Sequence, residues 1–590
     1  MRLSKLTNNI RIALCQLNLT TGDFEGNMRK AQFAVMDKHK TTDIFVFPEC
    51  QVTNYPSDDL FGNKKYLERA QSLIQHYVHI SKAYNTTMVF GAPYVDPTSN
   101  DPRPYNAAIV AQNGEILNVV NKQALPNYDV FDDKRWFQQG HADTVDWRDA
   151  NGQIVRLGIA ICEDIWVPGV VGELNKLGAE IILSINSSPY SIAKAPFRRK
   201  VFENAVHTHP DGPDGAPLVY VNNVGGNDEL VWDGCSAALD AQGNYFEAQP
   251  WTETVDVVEF TKVNYNWRLV TTQAPVEQNF AEERYMAACI GLRDYVGKTG
   301  FQSVTFGNSG GADSCLVALM TADVFGPENC LHVMMPSQYT SEDSNSFAKD
   351  LADGLGTGAP NQVVPIRDQF NAFEAALAGA FGTTDTNVAE ENLQAQLRGD
   401  ILSWVSNKFG HMIISTGNKS ELAMGYATLY GDMRGGFNPL KDLYKHKDVF
   451  ELLRWRLDVA RGNASFDLFA PAFGKAPVMV SEKGQAAVAD ITDRPPSAEL
   501  APGQKDSDNL PEYDVLDPIL WELIDAKESQ THQEIADKLG VRIELVDEVD
   551  RRMRVMEYKR FQACPGPKIH RKSFTKKDWR MPMASRFRGV

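Results

Sequence analysis

The sequence has no long apolar run. No stretch approaches the roughly eighteen consecutive apolar residues of a membrane-spanning helix. The first residues, Met1 to Asn9, also lack the apolar segment of a secretion signal. These absences predict a cytoplasmic protein without a membrane partner.

Cysteine is scarce and unpaired along the chain. The 590 residues include 8 cysteines, widely scattered and without a Cys-x-x-Cys pair. This pattern excludes a disulfide framework and gives no sign of a zinc ribbon. Each thiol therefore has to be judged from its own surroundings.

Positive charge is in short supply outside the C-terminal end. The formal net charge is −17, yet residues 551–590 hold thirteen Lys and Arg against Glu557 and Asp578. An acidic body argues against wholesale nucleic-acid binding, whereas the basic tail could contact phosphates of some kind. Hydrophobic residues make up 43% and charged residues 23%, values typical of globular proteins.

The length predicts at least two domains, and the pattern changes between residues 262 and 280. Before this boundary, short alternating apolar runs predict strands, and Asn113-Gly114 predicts a β-hairpin. We therefore expect a mixed α/β sandwich. After it, amphipathic stretches alternate with short apolar runs, which predicts a doubly wound parallel sheet. The predicted domains are residues 1–265 and 275–590. A Pro, Gly and Asp-rich stretch, Thr492 to Asp517, is predicted to be a functional loop.

The clearest motif of the second half is a glycine-rich turn between a strand and an apolar helix, at residues 303–320. Its glycines let backbone amides approach an anion, and the helix N-terminus favours negative charge. The Gly-Lys-Ser/Thr of the Walker loop is absent. Ser309-Gly-Gly-Ala-Asp-Ser instead resembles the pyrophosphate loop of enzymes that cleave ATP between its α- and β-phosphates.

Further motifs narrow this resemblance. Arg2 stands where an asparagine synthetase has its nucleophilic cysteine, and the cysteine pairs of tRNA-thiolating relatives are absent. The segments at 391–398, 415–445, 496–513 and 559–562 instead resemble the NAD synthetases. A strand at 412–415 would bring Thr416 and Glu421 to the sheet edge of the glycine-rich turn, where ligands bind in such sheets.

The resemblance implies specific roles for residues of the second half. ATP would contact Gly307, Asn308, Ser309, Gly310, Gly311, Ala312, Asp313, Ser314, Thr416 and Lys445. Deamido-NAD would contact Asn392, Arg398, Glu421, Tyr426, Ala427, Thr428, Leu429, Lys559 and Lys568. Asp313 and Glu421 would hold Mg²⁺, a hard ion that prefers oxygen ligands. Two positions depart from the family, which usually has Arg at Gln396 and Gly at Ser415.

In the first half, Glu49, Lys122 and Cys162 follow strand-like runs in contexts that resemble the nitrilase-like carbon–nitrogen hydrolases. That family implies an αββα sandwich. A thiol needs a general base and a nearby cation to become a nucleophile, which the Glu and the Lys provide. The alternative, that Cys162 is an ordinary buried core thiol, is disfavoured by these contexts.

The same resemblance implies a glutamine pocket formed by Tyr128, Glu163, Ser188 and Lys194. Here too the sequence departs from the family, which often has Arg at Lys194 and Glu at Asp133. The glutamine contact of Lys194 and the support that Asp133 gives Lys122 are therefore expected to differ from the family pattern.

Together the halves resemble the glutamine-dependent NAD synthetases. The implied enzyme is a ligase that amidates deamido-NAD through an adenylate, using ATP, Mg²⁺ and ammonia released from glutamine. By the same resemblance we expect a homo-oligomer. Two alternatives stay open: an amidotransferase that adenylates another carboxylate, and a nucleic-acid-binding protein whose basic tail contacts RNA. Phe574, Trp579 and Phe587 interleave that tail without forming a regular stacking platform.

Overall fold

The computed structural model describes residues 9–149, 151–207, 215–277, 279–356, 362–382 and 387–587. The chain divides into two compact units. Unit 1 comprises residues 1–227 and 232–277, and unit 2 comprises residues 228–231 and 278–590. None of the helices in the described ranges combines the length and apolarity that crossing a bilayer requires.

The strands before residue 270 belong to unit 1, except for Leu230 and Val231 of β11, which belong to unit 2. They are β1 (Asn9–Gln16), β2 (Ile44–Val46), β3 (Thr87–Tyr94), β4 (Tyr105–Gln112), β5 (Glu115–Asn121), β6 (Asp143–Arg148), β7 (Ile154–Ile161), β8 (Ile181–Asn186), β9 (Leu218–Asn222), β10 (Val224–Asn227), β11 (Leu230–Asp233), β12 (Ala237–Leu239), β13 (Tyr245–Glu247), β14 (Thr254–Val263) and β15 (Asn266–Leu269). The helices are α1 (Phe24–Lys38), α2 (Lys64–Tyr84), α3 (Asp133–Trp136), α4 (Pro168–Lys176) and α5 (Lys194–Val206), with 3₁₀ turns at Asp58–Gly62 and Cys162–Ile165.

Two sheets pack face to face in unit 1, in the orders β15-β14-β1-β2-β3-β4-β5 and β13-β12-β9-β8-β7-β6. Side chains alternate along each strand. Ile12 and Leu14 of β1 thus join Leu157 and Leu183 in the core between the sheets. Residues of the opposite faces pack against α1 and α2 on one side and against α4 and α5 on the other. The expected αββα sandwich is confirmed, and so is the hairpin, with Gln112 paired to Glu115.

Unit 2 is built on a parallel sheet with the order β18-β17-β16-β19. Its strands are β16 (Val304–Gly307), β17 (Cys330–Met334), β18 (Gln362–Val363) and β19 (Met412–Ile413). Its helices are α6 (Phe280–Lys298), α7 (Ala312–Phe325), α8 (Glu342–Gly354), α9 (Arg367–Phe381), α10 (Val388–Phe409), α11 (Lys419–Met424), α12 (Glu451–Arg461), α13 (Phe469–Phe473), α14 (Glu482–Asp493), α15 (Tyr513–Ile524), α16 (His532–Leu539), α17 (Ile543–Val555) and α18 (Glu557–Arg560). Short turns at Pro327–Asn329 and Asp506–Asp508 are 3₁₀ helical, and Lys445–Phe450 is a π-helical turn. The predicted parallel α/β sheet is confirmed.

The long loop of unit 2 is shorter than the sequence pattern predicts. Helix α14 continues to Asp493 and helix α15 already begins at Tyr513, with Pro518 inside it. Tyr513, Leu516 and Leu520 bury one apolar face of α15, and this burial favours the helix over the turn-rich composition. The loop therefore covers residues 494–512.

The basic C-terminal segment packs within unit 2. Lys568 pairs with Asp578, and His570 Nε2 lies 2.8 Å from Asp448 Oδ2. The backbone N–H groups of Ile569 and His570 both donate to Asp442, which is also paired with the buried Lys419. Lys568 and the backbone of Ile569 and His570 are thereby held inside the fold.

The buried His332 of β17 is expected to make unit 2 less stable in acid. Its ring is 2% exposed, lies 4.6 Å from the Phe306 ring at an angle of 53°, and has no hydrogen-bond partner for either nitrogen among the described residues. Burial lowers the pKa of His332 to about 4, whereas an unfolded His titrates near 6.5. Between these values the unfolded state binds more protons, so stability falls as the pH drops through this window.

Replacing His332 by Met should therefore flatten the decline of the melting temperature between pH 6.5 and pH 4.5. The removed proton linkage amounts to about 2 kcal/mol at pH 5. Thermal melts of both proteins across this range provide the check. If the melting temperature of H332M falls with pH as steeply as that of the unsubstituted protein, His332 is not the source of the acid sensitivity.

Candidate active sites

The structure brings Glu49, Lys122 and Asp133 together at the strand ends of unit 1. All three side chains are almost fully buried. Lys122 Nζ donates to Glu49 Oε1 at 2.8 Å and to Asp133 Oδ2 at 2.7 Å. Although burial lowers the pKa of Lys122, Asp133 and Glu49 raise it well above its usual value. The two carboxylates therefore favour the ammonium form of the lysine, and Asp133 forms this pair although it is shorter than the family's Glu.

Cys162 lies on the turn that follows β7, at the start of the 3₁₀ segment. Its φ of 48° is in the left-handed region, which residues other than glycine rarely adopt. Burial and the neighbouring Glu49 raise the pKa of the thiol well above its usual value, while Lys122 lowers it. The resting thiol is thus protonated, and a base must remove its proton during attack.

The glutamine-binding candidates lie in two pairs near Cys162. The Tyr128 hydroxyl is 2.9 Å from both oxygens of the Glu163 carboxylate. Lys194 Nζ donates to Ser188 Oγ at 2.8 Å and lies 5.6 Å from the ring centre of Trp166. Burial raises the pKa of Glu163, and hydrogen bonding from Tyr128 opposes this shift. A carboxylate and an ammonium are therefore available for the two charged ends of an amino acid.

The glycine-rich turn of unit 2 connects β16 to α7. Gly310 has a φ of 76°, and a Cβ on it would lie 2.1 Å from the Ser344 carbonyl oxygen. Only glycine fits this position. Ser309 Oγ and Ser314 Oγ lie 3.0 Å apart at the start of α7. The turn thus presents hydroxyls and a helix N-terminus to an anion.

Asp313, Glu421 and Lys445 meet beside this turn. Lys445 Nζ forms ion pairs with Asp313 and with Glu421, the latter at 3.4 Å. Asn418 Nδ2 donates to Asp313 Oδ1 at 2.9 Å and caps α11, which carries Glu421. Burial and the Asp313 charge raise the pKa of Glu421 to about 8, against an opposing effect of Lys445. Two acidic groups at close quarters next to a phosphate-type loop suit a divalent cation.

Asp313, Glu421 and Lys445 line a cavity of about 290 Å³. All the ATP-binding candidates contribute to its wall, as do Arg398, Glu421 and Tyr426 of the deamido-NAD set. Arg398 donates to the Met335 carbonyl oxygen, and burial lowers its pKa to about 10. A half-buried cation in a cavity wall is an attractive site for an anionic group.

The other deamido-NAD candidates do not line the cavity, although several lie next to its wall. Thr428 Oγ1 donates to Asn392 Oδ1 at 2.8 Å, and the Thr428 N–H donates to Asp432, a cavity residue. Lys559 Nζ donates to the carbonyl oxygens of Gly425 and Ala427. Lys559 thereby supports the 425–429 backbone, whereas Lys568 is buried against Asp578.

Sequence reasoning did not single out several polar residues of the cavity. Arg494 donates to Ser344 Oγ and to Glu499 Oε1, at 2.7 and 2.9 Å, and all three line the wall. Asp506, from the same loop as Glu499, also reaches the cavity. The composition of this loop predicts a functional role, but the pattern does not indicate which of its side chains face inward.

The comparisons with known proteins agree with this arrangement. Residues 11–268 match the carbon–nitrogen hydrolase family and residues 284–563 match the NAD synthase family. The chain is 37% identical to the glutamine-dependent NAD(+) synthetase of Thermotoga maritima, covering 98% of this chain and 99% of that protein. Its identity to the Rhodobacter capsulatus enzyme of the same name is 38%, covering 99% and 100%.

Solved structures show the same relationship. The glutamine-dependent NAD+ synthetase of Acinetobacter baumannii, in complex with ADP, has a TM-score of 0.71 and 34% identity, covering 98% of both chains. A glutamine-dependent NAD(+) synthetase structure from Cytophaga hutchinsonii has a TM-score of 0.75 at 19% identity and shows the shared fold.

Proposed function

The chain belongs to the glutamine-dependent NAD(+) synthetases, ligases that use ATP and the amide nitrogen of glutamine to form NAD, and we propose how its residues perform the two halves of this reaction. Unit 1 releases ammonia at Glu49, Lys122 and Cys162. Unit 2 activates deamido-NAD in the cavity beside the glycine-rich turn. The predicted family, enzyme class and function are confirmed, whereas the residue roles below are proposals.

In the glutaminase reaction, Glu49 accepts the Cys162 proton as the sulfur attacks the amide carbon of glutamine. The proton then passes to the departing nitrogen, and ammonia leaves a glutamyl thioester. Water, deprotonated by Glu49, hydrolyses the thioester to glutamate and restores the thiol. Lys122 stabilises the negative oxygen of each tetrahedral intermediate. The observation that carries this proposal is the buried contact of 2.8 Å between Lys122 and Glu49. Because the pKa of the Cys162 thiol is raised, the thiol needs such a base.

Glutamine itself would be held by the charged pairs next to Cys162. Lys194 faces the α-carboxylate of glutamine, and Glu163, oriented by Tyr128, faces its α-ammonium. The Ser188 hydroxyl fixes the position of Lys194. Because Lys is a point charge where the family often has the bidentate Arg, we expect Lys194→Arg to lower the KM for glutamine.

In the synthetase reaction, the deamido-NAD carboxylate attacks the α-phosphorus of ATP, and pyrophosphate departs. Ammonia then displaces AMP from the adenylate to give NAD. The glycine-rich turn holds the pyrophosphate portion, and Lys445 neutralises charge on it. Arg398 and the 425–429 backbone contact the dinucleotide. This assignment rests on one cavity that the glycine-rich turn, Lys445, Arg398 and Tyr426 all line, and Thr428 is bonded to Asp432 of its wall.

The donor set of the cavity fits Mg²⁺. Asp313 and Glu421 are hard oxygen ligands paired to the same ammonium group, and ATP would supply the remaining oxygens. No group of three or more His, Cys, Asp or Glu in the described residues could hold a metal by itself. The ion, when bound, supplies charge neutralisation on the phosphates. Metal binding should therefore depend on the nucleotide, which a Mg²⁺ titration with and without ATP measures.

We also propose that the basic tail serves unit 2 rather than nucleic acid. Lys568 and Lys572 both pair with Asp578, and Arg560 pairs with Glu557. Deleting residues 569–590 would remove Ile569 and His570, which contact the buried Asp442 and Asp448, so truncation is a poor test of RNA binding. Exchange of Lys576 and Lys577 for Glu is a milder change. Salt-sensitive RNA binding that this exchange abolishes would favour the RNA alternative.

We propose that the chain forms a homo-oligomer through an exposed apolar face of α9. Phe373, Leu377 and Phe381 are 51%, 48% and 82% exposed and, spaced four residues apart, share one side of the helix. Large apolar side chains clustered on a surface mark an interaction site. A second copy of this chain is the proposed occupant.

Replacing both Leu377 and Phe381 by Asp should lower the molar mass measured by light scattering to that of a single chain. Two buried charges would oppose the contact. The control exchanges Glu374, on the same helix, for Gln. An unchanged oligomer in the double variant would place the contact elsewhere.

The proposed sites are tested together by a product assay with ATP, Mg²⁺, deamido-NAD and either glutamine or ammonium. Formation of NAD, AMP and pyrophosphate with both nitrogen donors is expected. Amidation of a different carboxylate in preference to deamido-NAD would favour the other amidotransferase hypothesis.

A further inference from the structure

Asn106, which no sequence motif singled out, lies in direct contact with Glu49. It is located on β4 and is fully buried. Its Nδ2 donates to Glu49 Oε1 at 2.7 Å, and its backbone carbonyl oxygen accepts the N–H of Lys122 at 2.9 Å. One residue therefore contacts both the base and the cation of the glutaminase site.

The donors around Glu49 are divided unequally between its two oxygens. Oε1 accepts from Asn106 Nδ2 and from Lys122 Nζ. Oε2 accepts the backbone N–H of Ser187 at 2.9 Å, and the same N–H interacts with Cys162. The Ser187 N–H thus connects Oε2 with the thiol, while the lone pairs of Oε1 are occupied by two donors.

The orientation of the Asn106 amide is determined by both of its ends. Its Oδ1 lies 3.7 Å from Cys50 Sγ, close enough for the thiol to donate. A reversed amide would direct oxygen at the Glu49 carboxylate, which repels it. The amide therefore always presents N–H to Glu49.

We propose that Asn106 is a positioning residue of the glutaminase, which orients the Glu49 carboxylate through its hydrogen bond to Oε1 and reserves Oε2 for the proton of Cys162. During attack the S–H bond breaks, Oε2 takes the proton and the sulfur–carbon bond forms. As the carbon–nitrogen bond breaks, Oε2 returns that proton to the nitrogen, and ammonia leaves. The inference deepens the proposed function and depends on Glu49 being the base.

The charged and titratable groups around Glu49 define what a substitution of Asn106 does. They are Lys122, Asp133, Cys162, Cys50 and Tyr55. Removing a donor from a carboxylate favours its protonated form, and adding a second carboxylate favours it further. When the catalytic base becomes protonated at a higher pH, the activity of the enzyme begins to fall at a higher pH on the acid side of its profile.

The test measures kcat/KM for glutamine against pH in the full-length enzyme, with ammonium-supported NAD formation recorded in parallel. Asn106→Ala should lower kcat/KM for glutamine about ten- to hundredfold near neutral pH, as expected for loss of a hydrogen bond to a charged group. Its acid limb should move upward by about one pH unit or more, so that raising the pH restores part of the activity. Asn106→Asp should move the limb further than Asn106→Ala.

The matched control is Asn118→Ala. Asn118 lies on the neighbouring strand β5, and its Nδ2 also donates to a carboxylate, that of Asp143, at 2.9 Å. Its pH profile should match that of the unsubstituted enzyme. If Asn106→Ala is insoluble, Asn106→Asp and Asn106→Ser provide the same measurement, with ammonium-supported synthesis as the indicator of folding.

Two outcomes separate this inference from the function it builds on. If Asn106 variants lose activity equally at every pH, or keep the acid limb of the parent enzyme, the positioning role is refuted. If Cys162→Ala, measured in the same series, still releases glutamate from glutamine, the glutaminase site itself is wrong.

Discussion

Cys162→Ala should remove glutamine-supported NAD formation, by about a thousandfold or more, while leaving ammonium-supported formation intact. Without the thiol there is no nucleophile to form the glutamyl thioester, and the remaining groups cannot substitute for it. The cavity of unit 2 lies apart in sequence and keeps all of its own residues. Parallel NAD assays with each nitrogen donor measure the effect.

Cys15→Ala is the matched control for this substitution. Cys15 is a buried thiol of β1 in the same unit, and it has no role in the proposed chemistry. Its removal should leave both activities unchanged apart from a small loss of stability. Equal loss of the two activities in Cys162→Ala would contradict a two-site enzyme.

Asp313→Asn should stop NAD formation with either donor, by about a hundredfold or more, and spare glutamine hydrolysis. The substitution keeps the shape of the side chain but removes the charge that pairs with Lys445 and that, in the proposed site, would hold the metal beside the phosphates. It leaves Glu421 as the remaining acidic group of the pair. NAD and glutamate are measured in the same reaction, so the two activities are directly comparable.

Asp343→Asn controls for the loss of one negative charge. Asp343 lies exposed in the first turn of α8, outside the cavity wall, and should tolerate the change. Activity of Asp313→Asn that is restored to the parental level by extra Mg²⁺ would assign Asp313 a weaker, auxiliary place at the metal. Full activity without extra Mg²⁺ would refute the metal assignment altogether.

Local patterns were sufficient for much of the fold. Alternation along β1 places Ile12 and Ala13 on opposite faces, and the Asn113-Gly114 turn determines the hairpin register. The glycine-rich turn was recognisable because the requirement for Gly310 is local: its φ is positive and a neighbouring carbonyl leaves no space for a Cβ. Such features depend on few residues that are close in sequence.

Contacts between segments that are distant in the sequence could not be predicted from such local patterns. Asn106 reaches Glu49 only because β2 pairs with β3 and β3 pairs with β4, and neither residue type in isolation indicates this contact. Arg494 and Glu499 face the cavity because their loop packs against Ser344 of another helix. Lys568 is a surface-type residue by composition, yet Asp578 holds it within the fold. These outcomes depend on packing that no short pattern records.

The left-handed backbone of Cys162 has a consequence for thermal stability. A side chain at a φ of 48° carries strain of about 1 kcal/mol, which glycine alone escapes. The substitution Cys162→Ala removes the nucleophile and retains the strain, whereas Cys162→Gly removes both. The glutaminase unit should therefore melt at a higher temperature in the Cys162→Gly variant than in the Cys162→Ala variant, because the native nucleophile is held in place against the preference of its own backbone.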